Sequence, residues 1–222
     1  MQIVIGDILP LGVAVALSPL PIIAVLLVLV APVGVRGALP FLVARFLALS
    51  VLTTVFALAS DLADDAVGST TPAAILRIVV GVGLVIGAVV TWSRRPRRGD
   101  HPTMPGWMRS IDDIGPARAF RLGLILTVAN VKEIAFAAGA GFTIGGAMLS
   151  PGQAVIAVAV FVVLACLSVI IPVLIALVGG LRVQPALTEM RNWLVRYNAI
   201  VVAAVLLIIG AMLVGNGIAG LP

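Results

Sequence analysis

The sequence is poor in the residues that enzymes and metal sites most often use. It has one cysteine (Cys166) and one histidine (His101), and charged residues make up only 10% of its 222 positions. A single cysteine excludes an internal disulfide and a paired-cysteine redox motif. The histidine has no nearby serine or cysteine that it could activate. An enzyme is therefore the least favoured class, and we expect neither a cofactor nor a bound metal.

Apolar residues are abundant instead, at 62% of the chain. Soluble domains contain about 25% charged residues, so this composition indicates an integral membrane protein. The net charge is +5, but the arginines lie between apolar segments and not on one basic face, which argues against a nucleic-acid partner. No basic residue precedes Arg36, so we expect no cleaved signal peptide, and the first apolar segment should stay in the mature protein.

The apolar residues fall into six segments of roughly membrane-spanning length. In order, these segments cover residues 8–31, 38–60, 73–92, 119–149, 153–179 and 198–214. Eleven arginines lie in the first, third and fifth connections, counting Arg121 with the third, and none lies in the second or fourth connection or at either end. Because basic loops stay in the cytoplasm, this predicts a plasma-membrane protein with both termini outside.

Residues 18–21, Ser-Pro-Leu-Pro, interrupt the first segment. A proline inside a helix removes a backbone donor and clashes with the preceding turn, so two of them predict a break or a sharp kink. Irregular backbone at membrane depth is tolerated only where protein or a water-filled cavity covers it. The alternative is a simple packing kink without a function.

Residues 130–133, Asn-Val-Lys-Glu, form a polar island in the fourth segment. Charged groups in the middle of a membrane cost at least ~2.5 kcal/mol each on insertion scales, so they usually face an interior cavity. Arg45, inside the second segment, either reaches back to the interface or pairs with a buried carboxylate. Glu133 is the partner to test for it.

The two interruptions predict an internal repeat. They lie 112 residues apart (130 minus 18), which is about half the chain. With three segments in each half, the halves enter the membrane in opposite directions, as in inverted-repeat transporters whose sites lie where two interrupted helices meet. The predicted fold is all-α, with six transmembrane helices in a 3+3 inverted repeat and helices 1 and 4 interrupted. The first repeat covers residues 1–92, a basic cytoplasmic linker covers 93–119, and the second repeat covers 120–222.

These motifs resemble a known family. Residues 18–25 (SPLPIIAV) and 130–132 (NVK) are similar to motifs of the lysine-exporter (LysE) superfamily, and more closely of its GAP branch, the glycopeptidolipid- and sulfolipid-addressing membrane proteins. Members carry an early Ser-Pro-x-Pro-like break and an Asn-Pro-Lys motif in the fourth segment. This chain has Val131 where the family usually has proline. The resemblance covers nearly the whole chain in segment order and implies export or envelope delivery of amphiphilic or amino-acid-like molecules.

The candidate substrate site combines the two interruptions. Pro19 and Pro21 suit the opening turn of a half-helix, and Ser18 is placed to cap it. Free backbone donors and the positive end of the helix dipole, with Asn130 and Lys132 nearby, predict a pocket for a carboxylate, phosphate or sulfate group.

Glu133 is a candidate proton carrier, because burial disfavours its charged form, or it is half of an ion pair with Arg45. The alternative is that Arg45, Lys132 and Glu133 form a structural polar network that holds the helices together.

Three functions remain in competition. The first is a secondary exporter of an anionic or zwitterionic amphiphile, either an envelope lipid or an amino-acid-like solute. The second is a non-transporting accessory protein whose basic linker docks an envelope-lipid synthase or exporter. The third is the disfavoured enzyme, and a divalent-cation transporter also fits poorly because Glu133 and Asp7 are the few available carboxylates. Membrane lipids are expected neighbours, and a homodimer is a further expectation.

Overall fold

The structure, a computed structural model, describes residues 1–60, 70–93, 114–147 and 149–219. In these ranges the regular structure is helical throughout. The helices are α1 (Gln2–Ala16), α2 (Pro19–Val30), α3 (Val35–Leu58), α4 (Thr70–Ser93), α5 (Pro116–Val128), α6 (Val131–Gly145), α7 (Pro151–Gly179), a 3-10 turn (Gly180–Val183) and α8 (Gln184–Ala219). Residues 61–69, and residues 94–113 of the predicted basic linker with His101, lie outside the described residues.

The helix lengths fit a membrane protein. Helices α3 and α7 are each long and apolar enough to cross a bilayer, and the bent pairs α1–α2 and α5–α6 pass the same test when each pair counts as one span. The described residues therefore contain two to four candidate spans by length and composition. Helices α4 and α8 cover the predicted third and sixth segments. Helix α8 begins at Gln184, before the predicted sixth segment, and runs continuously through it.

The chain divides into two compact units. The first comprises Met1–Asp61 and Met104–Trp193, and the second comprises Leu62–Thr103 and Leu194–Pro222. The first unit contains both interrupted segments. In the second unit α4 and α8 approach closely, because a Cβ added to Gly81 would lie 2.8 Å from the carbonyl oxygen of Gly210. Gly83, two positions further along α4, makes no such approach, since a Cβ there would meet no described atom within 4 Å.

In the first unit, large side chains such as Phe41 and Phe161 fill the core together with many alanines, and other large apolar side chains face outward. Ala44, Ala137 and Ala165 are fully buried, whereas Ile125 and Leu174 are more than half exposed. This distribution is typical of helices in lipid, where close backbone approach and not the hydrophobic effect drives association. Helix α3 packs against α5, α6 and α7, and α1 packs against α7 and α6.

The α3–α6 contact depends on two glycines. A Cβ on Gly141 would lie 2.6 Å from the carbonyl oxygen of Thr53, and a Cβ on Gly145 would collide with the carbonyl oxygen of Ala57. The glycines at 141 and 145 therefore form a Gly-xxx-Gly helix contact, and α3 is its partner. The close approach positions the N-terminal end of α6 beside the middle of α3.

We expect Gly141→Ala to destabilise the protein by about 1–3 kcal/mol, because α3 and α6 would have to separate. Gly139→Ala is the matched control, since its Cβ would meet Leu11 at an ordinary 3.5 Å and alanine has the better helix propensity. Thermal melting of the detergent-solubilised protein measures both variants. Equal melting temperatures would contradict the importance of this close approach.

Candidate functional site

The first interruption lies between α1 and α2, which meet at an angle of 53°. Helix α1 ends at Ala16, Ser18 is extended (φ −72°, ψ 114°), and Pro19 is the first residue of α2. This position suits proline, because its missing N–H would have no helical partner there. Ser18 occupies the cap position as predicted, but the expected capping bond is wrong: its side chain accepts no hydrogen bond from the backbone of α2.

The second interruption lies between α5 and α6, which meet at 69°. Helix α5 ends at Val128, and Asn130 is extended (φ −88°, ψ 99°). The side-chain oxygen of Asn130 accepts a hydrogen bond from the backbone N–H of Lys132 at 3.2 Å, so it caps α6. An asparagine cap of this kind starts a new helix without proline. The helix is therefore interrupted here even though Val131 replaces the proline of the Asn-Pro-Lys motif.

Lys132 joins the two interruptions. Its Nζ donates a hydrogen bond to Oγ of Ser18 at 3.3 Å and lies 5.9 Å from the centre of the Phe136 ring. The side chain is half-buried, and it forms no ion pair with any residue that the structure describes. The sequence-predicted residues from the two halves of the chain, 114 positions apart, thus meet through this ammonium group.

Arg45 and Glu133 form a fully buried ion pair. Nη1 of Arg45 lies 3.1 Å from Oε2 of Glu133, and Nη1 and Nη2 also reach Oε1 at 3.3 and 3.4 Å. Both side chains have no exposed surface. Of the two alternatives for Arg45, the structure therefore has the pair and not the reach to the interface. Lys132 and Glu133 are sequence neighbours that point to different partners.

Two further residues complete this polar cluster. Thr127 Oγ1 accepts a hydrogen bond from Arg45 at 3.1 Å and donates to the Gly123 carbonyl at 2.9 Å. The amide nitrogen of Asn130 lies 3.4 Å from Oε1 of Glu133. Sequence reasoning missed Thr127 and Phe136. Phe136 follows Lys132 by four positions, a spacing that places both on one helix face. Thr127 is a polar residue six positions before Glu133, but threonine is common in such helices, so its spacing was a weak signal.

The charges of the polar cluster do not cancel. Arg45 and Glu133 satisfy each other, which leaves the positive charge of Lys132 beside the hydroxyl of Ser18. Pro19 and Pro21 occupy the first and third positions of α2, so this turn has fewer backbone donors than predicted. An anion at the junction would therefore be bound mainly by the Lys132 ammonium, with the Ser18 hydroxyl as a neighbouring donor.

Comparison with known families supplies an independent observation. A family model described as Sap, sulfolipid-1-addressing protein, matches residues 8–219. The chain belongs to this family. No curated protein and no solved structure matches it. The matched range of this Sap-family chain includes both interruptions and the whole polar cluster.

Proposed function

We propose that this Sap-family protein is a secondary membrane transporter that exports an anionic or zwitterionic amphiphile. The observation that carries the proposal is the Lys132 ammonium, which lies at the junction of two interrupted helices without a carboxylate partner among the described residues. A charged side chain at membrane depth is costly without an oppositely charged partner, and such groups in membrane proteins usually mark a substrate or ion pathway. The substrate-binding residues of the proposal are Ser18, Pro19, Pro21, Asn130 and Lys132.

The proposed architecture is a 3+3 inverted repeat, with repeats at 1–92 and 120–222 joined by the cytoplasmic linker. The packing of the first unit supports it. In such a repeat the first segment (α1–α2) corresponds to the fourth (α5–α6), and the second (α3) corresponds to the fifth (α7). A contact between α1 and α7 should therefore have an equivalent between α5 and α3. Both contacts are present. Helix α1 also packs against α6 and α2 against α5, which is the pairing of two antiparallel interrupted segments.

Two glycines at related positions support the same symmetry. Gly12 lies six residues before Ser18, and a Cβ added to it would meet Leu164 of α7 at 2.8 Å. Gly123 lies seven residues before Asn130, and a Cβ added to it would meet the Phe41 carbonyl of α3 at 2.6 Å. Each glycine thus precedes an interruption and packs against the next segment of the opposite repeat.

Six spans are part of the proposal, with α4 and α8 as the third and sixth. The orientation places both termini outside the plasma membrane, and a reporter enzyme fused to either end would test it. Membership of the wider LysE superfamily also belongs to the proposal, on the strength of the Ser-Pro-Leu-Pro and Asn-Val-Lys motifs. We further propose that the protein is not an enzyme, needs no cofactor and does not bind nucleic acid.

The family description supports a lipid as the substrate class. It names a sulfolipid, and a sulfated headgroup is an anion that an ammonium and a hydroxyl can bind. The same description uses the word addressing, which favours the second candidate function: a non-transporting accessory protein that docks an envelope-lipid synthase or exporter. For the accessory function, the surface that binds the partner includes the basic linker. A homodimer is compatible with either function.

Reconstitution separates the two functions. We expect purified protein in lipid vesicles to move a fluorescent lipid with a sulfate headgroup between leaflets faster than empty vesicles do, and to move the same lipid without sulfate more slowly. Absence of movement would contradict the transporter. The accessory function would then predict that lipid export in cells survives Lys132→Ala but stops when the four arginines of 94–98 are replaced by glutamine.

A further inference from the structure

An apolar groove lies in the first unit, apart from the polar cluster. Its volume is about 590 Å³. One wall is the second half of α3, with Phe46, Ser50 and Thr54, and the other is the first third of α7, with Val155 and Val158. The end of α6 at Ile144 and Gly145 forms the floor.

The length of the groove matches one leaflet of a bilayer. Its α3 wall runs from Phe46 to Leu58, which at a rise of 1.5 Å per residue is about 18 Å. Half of a ~30 Å hydrocarbon core is about 15 Å. The inner end adjoins Arg45 of the polar cluster, and the outer end, at Leu149 and Pro151, coincides with the turn between two helices.

The rim of the groove is open on the outward side of the helices. Leu58 is 79% exposed and Val155 is 68% exposed. In a membrane protein such apolar outward faces contact hydrocarbon. The hydroxyls of Ser50 and Thr54 are the polar side-chain groups of the lining, which are too few to hold a file of water molecules. Hydrocarbon is therefore the occupant that this lining favours.

The groove is open along the outward faces of α3 and α7, where hydrocarbon lies in a membrane. An acyl chain can enter such a groove from the bilayer without any movement of the helices. A helix of a second copy, about 10 Å wide with its side chains, is the competing occupant, and the test distinguishes the two.

We infer that this groove binds one acyl chain of a membrane lipid, with the headgroup at the Leu149–Pro151 end and the end of the chain beside Phe46. The inference deepens the proposed function and rests on it in one respect: the lipid bound here is of the class that the polar cluster handles. The groove and the Lys132 junction are separate places, since the headgroup of the lipid bound in the groove lies at the Leu149–Pro151 end, away from Lys132.

The test uses the full-length protein in nanodiscs with a phosphatidylglycerol that carries a photoreactive group on one acyl chain. In the unaltered protein, cross-links should concentrate in residues 46–58 and 144–159. Val155→Trp should narrow the groove and lower this labelling at least about tenfold, because several methylene contacts would be lost. Val163→Trp is the matched control: it is also an exposed valine of α7, two turns further on, and does not line the groove.

Three results would overturn the inference. The first is labelling of the unaltered protein that spreads evenly over all outward-facing helices, a result that does not depend on whether Val155→Trp folds. The second is equal labelling of Val155→Trp and Val163→Trp. The third, from a separate experiment with a protein–protein cross-linker, is a cross-link between two copies at the groove residues, which would show a dimer contact there.

The acyl-chain inference and the proposed transporter function can be tested independently. A neutral diacylglycerol with the same photoreactive chain should label the groove equally in the unaltered protein and in Lys132→Met. If the groove is labelled but vesicles show no lipid movement, the inference about the groove is supported and the transporter function is contradicted. If lipid movement depends on Lys132 while labelling is uniform, the transporter function is supported and the inference about the groove is contradicted.

Discussion

Replacement of Lys132 by methionine should lower the transport of a sulfated lipid at least about 100-fold, which corresponds to about 2.7 kcal/mol. Methionine keeps much of the length and apolar stem of lysine but removes its charge. A hydrogen bond to a charged group contributes about 1.5–3 kcal/mol, so most of the anion affinity at this junction should be lost. Leaflet-to-leaflet movement in vesicles is the measurement.

The controls for Lys132 distinguish its charge from its packing. Arg121→Met removes an exposed base from α5 of the same segment and should leave transport unchanged. Lys132→Arg keeps the charge and should retain part of the activity. Normal transport by Lys132→Met, or an equal loss in Arg121→Met, would show that the junction does not bind the substrate. Folding of Lys132→Met should be nearly normal, because the Ser18 hydroxyl loses only one donor.

Arg45→Met should destabilise the protein by about 3–5 kcal/mol, because it leaves the carboxylate of Glu133 buried without its partner. Both side chains are fully buried. The double variant Arg45→Met/Glu133→Met should recover much of this loss, since apolar side chains of similar volume often replace a buried pair at little cost. Thermal melting of the single and double variants in detergent measures the effect.

The same variants separate the two roles considered for Glu133. If the pair only holds α3 against α6, the double variant should fold and still transport. If Glu133 carries a proton during the cycle, the double variant should fold but lose transport, as should Glu133→Gln. A single variant Arg45→Met that is as stable as the unaltered protein would contradict the buried ion pair itself.

The interruptions could be predicted from the sequence because their causes are local. Two prolines within four residues break a helix wherever it packs, and an amide followed by two charged residues in an apolar run is conspicuous at any depth. The lengths of the apolar segments likewise locate the helices. Val131 made the second interruption harder to predict, and the structure resolves it through the Asn130 cap, a hydrogen bond spanning two residues.

The contacts of the side chains could not be predicted in the same way. Ser18 was expected to bind its own helix, but it accepts a hydrogen bond from Lys132, 114 residues away. Arg45 had two possible environments, and only the packing of α3 on α5 and α6 places it against Glu133 and Thr127. Which glycine of α4 makes the close contact depends on the rotation of that helix, so Gly81 and not Gly83 approaches its neighbour.

The two interruptions differ in one chemical respect. Between α1 and α2 the chain carries Pro19 and Pro21, which lack the N–H groups that a continuous helix requires. Between α5 and α6 every residue retains its N–H, and the bend is maintained by the Asn130 cap, a group whose loss costs only about 1 kcal/mol. The first interruption therefore cannot become a continuous helix. The backbone of the second can, provided that the packing of α5 and α6 on α3 also changes, and straightening would then move Lys132 away from Ser18.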